Sequence, residues 1–262
     1  MSLPPPARAA RAKSPTRRSF VASCAALAAT TLFSEVSLAE SAEPSPAVLA
    51  ADPLRPQYHL LPPSNWMNDP NGPIYWRGKY HVFYQFNPHA ARWGDMHWAH
   101  AVSPDMIHWR HMPIALSPQP DSPDREGCFS GSTVVDEGVP TILYTGVVST
   151  SPEDATLRDG VHNFQESQCI ATSRDPNLRS WKQSSKPVIA APPPGIAVTG
   201  FRDPCVWKDA EHWYMALGSG FPKIGGAVLL YRSRDLGSWE YLHPLIAGKW
   251  NGEEAVDRKS VV

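Results

Sequence analysis

Cysteine is scarce in this chain of 262 residues, and its spacing excludes two kinds of scaffold. Only four cysteines occur and none forms a Cys-x-x-Cys pair, so we expect neither a structural zinc site nor a disulfide framework. Cys128, Cys169 and Cys205 are expected to be partly buried small side chains. One pair of them could still oxidise in an exported protein.

Excess charge and long apolar runs are also missing. The 24 basic and 25 acidic residues give a net charge of -1, which favours neither nucleic acid nor an anionic membrane as a partner. One apolar stretch, from Phe20 to Phe33, is too short for a stable membrane anchor. With 42% hydrophobic residues, 28 prolines and 17 glycines, the composition predicts a globular chain of strands and turns.

The N-terminus has the layout of an export signal. Five basic residues and no acidic residue precede the apolar stretch, and Ser37-Leu38-Ala39 offers small residues for cleavage. We predict an export signal over residues 1–39 and a flexible leader over 40–57, giving a periplasmic or extracellular protein that is not bound to the membrane. Residues 16–21 are similar to a twin-arginine signal, although an ordinary Sec signal stays open.

A repeat organises the chain after residue 57. Each of three units contains a polar cluster, a β-hairpin pattern, and a Ser-x-Asp strand entry that is closed by a tryptophan. The serines are separated by 70 and then 60 residues, which predicts four-stranded blades of a β-propeller. The serines are Ser103, Ser173 and Ser233, and the tryptophans are Trp109, Trp181 and Trp239.

Three polar residues hold equivalent places just before the predicted inner strands. Because inner strands of a propeller start at one end of its channel, we expect Asp69, Ser130 and Asp203 to converge there. A single Asp-Pro pair would indicate only a turn, but the recurrence favours a functional role. Tryptophans close to Asp69 allow a sugar to stack, although each one alone is more typical of a core: Trp66, Trp76, Trp93 and Trp98.

Three motifs carry a resemblance to a known family. Trp66-Met67-Asn68-Asp69-Pro70-Asn71-Gly72 resembles, without a mismatch, the signature of glycoside hydrolase family 32, which contains invertases, levanases and inulinases. Phe129-Ser130-Gly131-Ser132 and Phe201-Arg202-Asp203-Pro204 resemble the next two family motifs, in the same order. The resemblance covers roughly residues 58 to 250. It implies an all-β, five-bladed propeller, of which residues 58–262 would supply about three blades.

The resemblance also implies a reaction and a set of site residues. The reaction is the retaining hydrolysis of terminal β-fructofuranosyl residues of sucrose or fructans, with no metal or other cofactor. Asp69 would be the nucleophile, and Asp203 would stabilise the transition state. Further residues would bind the fructosyl unit: Asn68, Gln85, Trp93, Phe129, Ser130 and Arg202.

One family motif has no counterpart in these residues. The family takes its general acid/base from a Glu-Cys pair, and none occurs in the 262 residues. Glu240 is expected on an outer strand, while Glu253 and Glu254 lie near the position where the motif would follow. We interpret the chain as the N-terminal part of a fructoside hydrolase, inactive by itself. A non-catalytic fructan-binding protein is the alternative.

Overall fold

The computed structural model describes residues 46–56, 59–157 and 160–248. The predicted export signal, Glu253 and Glu254 therefore lie outside the described residues. One short helix, α1, lies within the predicted leader, and none of the described helical residues forms a segment long and apolar enough to span a membrane. The elements are α1 (Pro46–Ala51), β1 (Trp66–Trp76), β2 (Lys79–Asn87), β3 (His97–Ser103), β4 (Arg110–Leu116), β5 (Gly127–Asp136), β6 (Val139–Ser149), β7 (Phe164–Thr172), β8 (Lys182–Gln183), β9 (Phe201–Asp209), β10 (His212–Phe221), β11 (Gly225–Ser233) and β12 (Trp239–Ala247).

The twelve strands form three antiparallel sheets of four strands each. Their orders are β1-β2-β3-β4, β5-β6-β7-β8 and β9-β10-β11-β12, so each predicted unit is one blade and the all-β propeller prediction is confirmed. β1 contacts β5, and β5 contacts β9. The first strand of each blade therefore lies toward the first strand of its neighbour, as the inner strands of a propeller do.

Short hairpins start each blade. Arg77 and Gly78 join β1 to β2 with φ values of 48° and 79°, and Glu137 and Gly138 join β5 to β6 with 46° and 77°. Two residues with positive φ are what a type I′ turn requires, because its twist matches that of the paired strands. The same turn thus sets the register of the first two blades from their inner strands outward.

The Ser-x-Asp segments form the turns between the third and fourth strands. Ser103 ends β3, and its Oγ accepts hydrogen bonds from the backbone N–H groups of Asp105 (3.1 Å) and Met106 (2.8 Å). Trp109 then donates its indole N–H to the Met106 carbonyl (3.1 Å). The indoles of Trp181 and Trp239 make the same contact with Leu178 and Leu236, and the three accepting residues all have positive φ.

The blades pack face to face through two apolar clusters. Phe83, Trp98 and Leu116 of the first blade meet Ile142 and Tyr144 of the second. Leu143 on the other face of the second blade meets residues of the third: Phe201, Met215, Leu217 and Leu229. This packing fixes the relative positions of the inner strands.

The cysteines agree only in part with their predicted burial. Cys128 and Cys169 are buried and unoxidised, in the core between the first two blades. Cys205 is also unoxidised but exposed, so the prediction of burial is wrong for this residue. The reason is its place on β9, where its side chain points to the solvent-exposed face of the third blade.

Candidate active site

Asp69 lies in a β-bulge of β1 rather than just before the strand. Asn68 pairs with Gln85 and Pro70 pairs with Tyr84. Because Gln85 and Tyr84 are consecutive, Asp69 is an extra residue without a partner in the β2 register. Such a bulge bends the strand and redirects a side chain, so Asp69 departs from the regular alternation of side chains along β1.

The other two motifs contain bulges at matching places. In β5, Phe129 and Ser130 lie between the pairs Cys128–Gly146 and Gly131–Tyr144, where β6 supplies one residue. In β9, Asp203 and Pro204 lie between the pairs Arg202–Gly218 and Cys205–Ala216, where β10 also supplies one residue. The three inner strands thus share a local feature, a bulge near the start of each strand, and each bulge contains one of the residues that were predicted to converge.

A hydrogen bond joins the first two bulges. Ser130 Oγ donates to Asp69 Oδ2 over 2.9 Å. Ser130 is buried, whereas Asp69 is half-buried and remains partly accessible to solvent. The contact connects residues 61 positions apart in sequence. It shows that the structure brings the predicted nucleophile and the second motif together.

Two predicted sugar ligands are also fixed around Asp69. The indole of Trp66 donates to Asn68 Oδ1 (2.7 Å), which leaves the amide N–H groups of Asn68 as donors. Gln85 is buried and donates from Nε2 to the Cys128 carbonyl (2.9 Å). Gln85 therefore connects the first blade to the start of the second bulge, and one of its two amide N–H groups is already occupied by this hydrogen bond.

Aromatic side chains pack beside these polar residues. Trp93 is 40% exposed, and its ring centroid lies 5.8 Å from that of Phe129 and 5.0 Å from that of His162. Phe164 stacks on His162 and meets the edge of Phe129. The sequence analysis missed His162 and Phe164, because no local motif marks them and only the packing of the second blade beside Trp93 reveals them.

The third bulge is held by polar side chains of the second blade. Asp203 N–H donates to Thr145 Oγ1 (2.9 Å), and Arg202 Nη1 lies 3.2 Å from Glu166 Oε1. Glu166 is fully buried. Burial raises the pKa of the Glu166 carboxyl, and the Arg202 guanidinium opposes that rise.

Thr145 and Glu166 were missed by the sequence analysis. A signal for Glu166 exists, since Gln165-Glu166-Ser167-Gln168 places polar side chains in a strand, β7, that is mostly buried. Buried polar groups require hydrogen-bond partners, and in the structure several of these partners belong to the third motif.

The other aromatic and acidic candidates lie apart from Asp69. Trp98 is a core residue whose indole donates to the Phe129 carbonyl (2.9 Å), and the Trp76 indole donates to Pro176 (3.2 Å). Glu240 lies on β12, the outermost strand of the third blade, where it pairs with Arg232 (2.7 Å). Its predicted outer-strand position is confirmed, and the place of this strand removes Glu240 from the bulge cluster.

The arrangement agrees with a known protein family. The sequence profile of the glycosyl hydrolases family 32 N-terminal domain matches residues 59–256. The chain belongs to glycoside hydrolase family 32. The resemblance carried by the three motifs is thereby confirmed, and these motifs are the segments that contain the three bulges.

Family 32 relatives match the chain in sequence and in structure. Sucrose-6-phosphate hydrolase of Escherichia coli is 48% identical over 189 residues, which are 71% of this chain and 36% of that protein. A family 32 β-fructofuranosidase of Bombyx mori has a TM-score of 0.64 at 42% identity and is matched over 74% of this chain and 38% of its own. Fructan 1-exohydrolase IIa of Cichorium intybus in complex with 1-kestose has a TM-score of 0.63 at 38% identity, over 73% and 34%. The chain thus spans slightly more than a third of the length of these relatives.

Proposed function

We propose that this chain provides the fructosyl-binding and nucleophilic part of a glycosidase that hydrolyses terminal β-fructofuranosyl residues of sucrose or fructans. The observation that carries the proposal is the hydrogen bond from Ser130 to Asp69, which joins two family motifs at two β-bulges. Family membership and the names of the relatives support the substrate class.

Asp69 is the proposed nucleophile of a retaining reaction. Its carboxylate oxygen bonds to the anomeric carbon of the fructosyl unit while the bond from that carbon to the leaving oxygen breaks. The Ser130 hydroxyl fixes one carboxylate oxygen, so the group is oriented before substrate arrives. Water then cleaves the fructosyl ester, which releases fructose and restores Asp69.

Hydrogen-bonding groups around Asp69 are proposed to hold the fructosyl hydroxyls. Asn68 and Gln85 each retain an amide N–H group, and Arg202 Nε is a buried donor without a hydrogen-bond partner among the described residues. Asp203 is proposed to stabilise the positive charge that develops on the sugar ring in the transition state. Trp93 and Phe129 supply an apolar surface for the sugar ring.

The reaction also requires a proton donor for the leaving oxygen. No Glu-Cys pair occurs in the 262 residues, so these residues by themselves account for a second candidate function as well, fructan binding without turnover.

We also propose that the protein is exported, because basic residues precede the apolar stretch from Phe20 to Phe33. Sucrose or a fructan outside the cytoplasm would then be its substrate.

A chimera separates hydrolysis from binding alone. The described blades of this chain are joined to the remainder of the Escherichia coli sucrose-6-phosphate hydrolase, in which we expect the family's acid/base motif. We expect the chimera to release fructose from sucrose, and the same chimera with Asp69→Ala to lose this activity because the nucleophile is gone. The measurement is fructose release with both proteins folded to the same extent by circular dichroism.

A surface carboxylate provides the control for this experiment. Glu240→Ala removes an acidic group from the outermost strand and should leave fructose release unchanged. A folded chimera that binds fructose without hydrolysing sucrose would favour the binding function. Near-native turnover after Asp69→Ala would overturn the assignment of the nucleophile.

A further inference from the structure

Side chains of the second blade form hydrogen bonds with the backbone at the start of β9, which belongs to a different sheet. Phe201 N–H donates to Glu166 Oε2 (2.6 Å), and the Phe201 carbonyl accepts from Gln168 Nε2 (2.8 Å). Asp203 N–H donates to Thr145 Oγ1 (2.9 Å). Because β9 is the edge strand of its sheet and is bulged at this point, these side chains take the place of strand partners.

Glu166 is the central residue of this hydrogen-bond network. Its buried carboxylate accepts from Phe201 N–H and from Thr156 Oγ1 (3.1 Å), and it pairs with the Arg202 guanidinium (3.2 Å). A buried carboxylate is costly unless charge and hydrogen bonds compensate it. Here the cation and one of the hydrogen-bond donors belong to the motif that contains Asp203, so the site itself stabilises this carboxylate.

Gln168 and Thr145 extend the hydrogen-bond network to the other side of the bulge. Glu166 and Gln168 are two residues apart on β7 and therefore point to the same face of the sheet. Thr145 Oγ1 donates to Gln168 Oε1 (2.9 Å) while it accepts from the Asp203 N–H. A continuous hydrogen-bonded chain thus joins the Phe201 carbonyl, through Gln168 and Thr145, to the Asp203 backbone.

We propose that Glu166 is a positioning residue, which acts through Arg202 and the Phe201 backbone to hold Asp203 in its left-handed conformation. Asp203 has a φ of 64°, a region that is unfavourable for a residue other than glycine and persists only when surrounding contacts impose it. The inference rests on the proposed function for the role of Asp203 in fructoside hydrolysis. Its geometric part stands on the hydrogen bonds alone.

Amide hydrogen exchange in the 262-residue chain tests the geometric part. In Glu166→Ala we expect the amides of both Phe201 and Asp203 to exchange about tenfold faster or more, because Phe201 loses its hydrogen bond to a charged group and Asp203 is no longer held through Arg202 and the Phe201 backbone. Asp203 is the decisive amide, since its acceptor is Thr145 and not the mutated residue. An unchanged Asp203 exchange rate in the folded variant would show only a local contact and would overturn the proposal.

Two further variants keep the test decisive. Glu166→Gln retains an oxygen that can accept from Phe201 but cannot form the ion pair with Arg202, so we expect Phe201 to stay protected and Asp203 to exchange severalfold faster. If neither rate changes in this variant, the ion pair does not position Asp203. Asp124→Asn alters another buried side chain, one that lies in the loop before β5 and accepts from Tyr144 and Gln183, and it should leave both amides unchanged.

Fructose binding, measured by calorimetry, tests the functional part. We expect Glu166→Gln to bind fructose several times more weakly than the unmodified chain and Asp124→Asn to bind it equally well. Equal affinity of Glu166→Gln would overturn the link to the sugar site. If the unmodified chain does not bind fructose, the proposed function fails, while the exchange rates still decide whether Glu166 positions Asp203.

Discussion

At the scale of single residues, Gln85 combines a structural contact with a proposed sugar contact. Its Nε2 donates to the buried Cys128 carbonyl, and its other amide groups are assigned to the fructosyl unit. Gln85→Ala should therefore lower the free energy of unfolding by about 1–3 kcal/mol, because a buried carbonyl loses its donor. It should also weaken fructose binding in a calorimetric titration.

Gln183→Ala is the matched control for Gln85. Gln183 donates to Asp124 (2.6 Å) and to the Ser117 carbonyl (3.0 Å), between the same two blades but outside the bulges. Its loss should lower stability while fructose affinity stays the same. If Gln183→Ala weakens fructose binding as much as Gln85→Ala does, Gln85 acts on the sugar only through stability.

A buried histidine pair makes the first blade sensitive to acid. His81 Nδ1 lies 2.9 Å from His100 Nε2. Burial, followed by nearby His81 and Arg110, lowers the pKa of His100 from about 6.5 to about 3, and burial also lowers the pKa of His81. The folded chain therefore binds fewer protons than the unfolded chain between these values.

Stability should accordingly fall as pH decreases from about 6.5 toward 3. The slope for one such histidine is at most about 1.4 kcal/mol per pH unit, measured by urea unfolding at several pH values. His100→Phe, which cannot take up a proton, should flatten this dependence, whereas His243→Phe on the exposed part of β12 should not. An unchanged slope in His100→Phe would refute the role of the pair.

At the scale of elements, the bulges require close approach of two backbones. A Cβ atom on Gly131, at the end of the second bulge, would lie 2.1 Å from the Leu143 carbonyl oxygen and 2.7 Å from Tyr144 Cα. Because backbone atoms cannot move aside cheaply, Gly131→Ala should lower the free energy of unfolding by about 2–4 kcal/mol. Gly200→Ala, which meets no atom within 4 Å, should change it little. Similar unfolding free energies for the two variants would contradict this reading of the bulge.

The sequence predicted the blades better than it predicted how their inner strands are built. Alternating apolar residues and repeated Ser-x-Asp turns mark four strands per unit, because these are local patterns. The bulges are not local in this sense, since an extra residue is defined only by the register of the partner strand. Asp69, Ser130 and Asp203 were therefore expected to precede strands in which they are instead incorporated.

The same limit explains which site residues the sequence revealed. Asp69 and Asp203 lie in motifs that are recognisable by themselves. His162 and Glu166 belong to the second blade and act beside Trp93 and Arg202, respectively. Such contacts between blades arise from packing, and a single sequence does not record them.

At the scale of the whole molecule, the third blade exposes large apolar side chains. Trp207 is 40% exposed, and Leu245 and Ile246 are each 50% exposed. Exposed apolar side chains on a sheet promote association, so we expect the 262-residue chain to associate with increasing concentration. Sedimentation velocity at several concentrations would test this expectation, and a constant monomeric profile would contradict it.

Hydrolysis by the 262-residue chain alone should be undetectable with sucrose or inulin. General acid catalysis contributes about 10²–10⁴ in rate, and the residues assigned around Asp69 include no group for this role. Fructose release in a coupled assay is the measurement. An ordinary enzymatic rate from the chain by itself would show that another carboxylate, such as Glu240, Glu253 or Glu254, supplies the proton.

The central claim, that Asp69 is a nucleophile beside a fructosyl site, can be tested without a proton donor. A fructosyl fluoride needs no protonation of its leaving group, so a bond forms between an Asp69 carboxylate oxygen and the anomeric carbon while fluoride departs. The measurement is the intact mass of the folded chain after incubation, followed by peptide mapping. The account predicts the addition of one fructosyl unit at Asp69 and no addition in Asp69→Ala. An adduct on another residue, or equal labelling of both proteins, would contradict it.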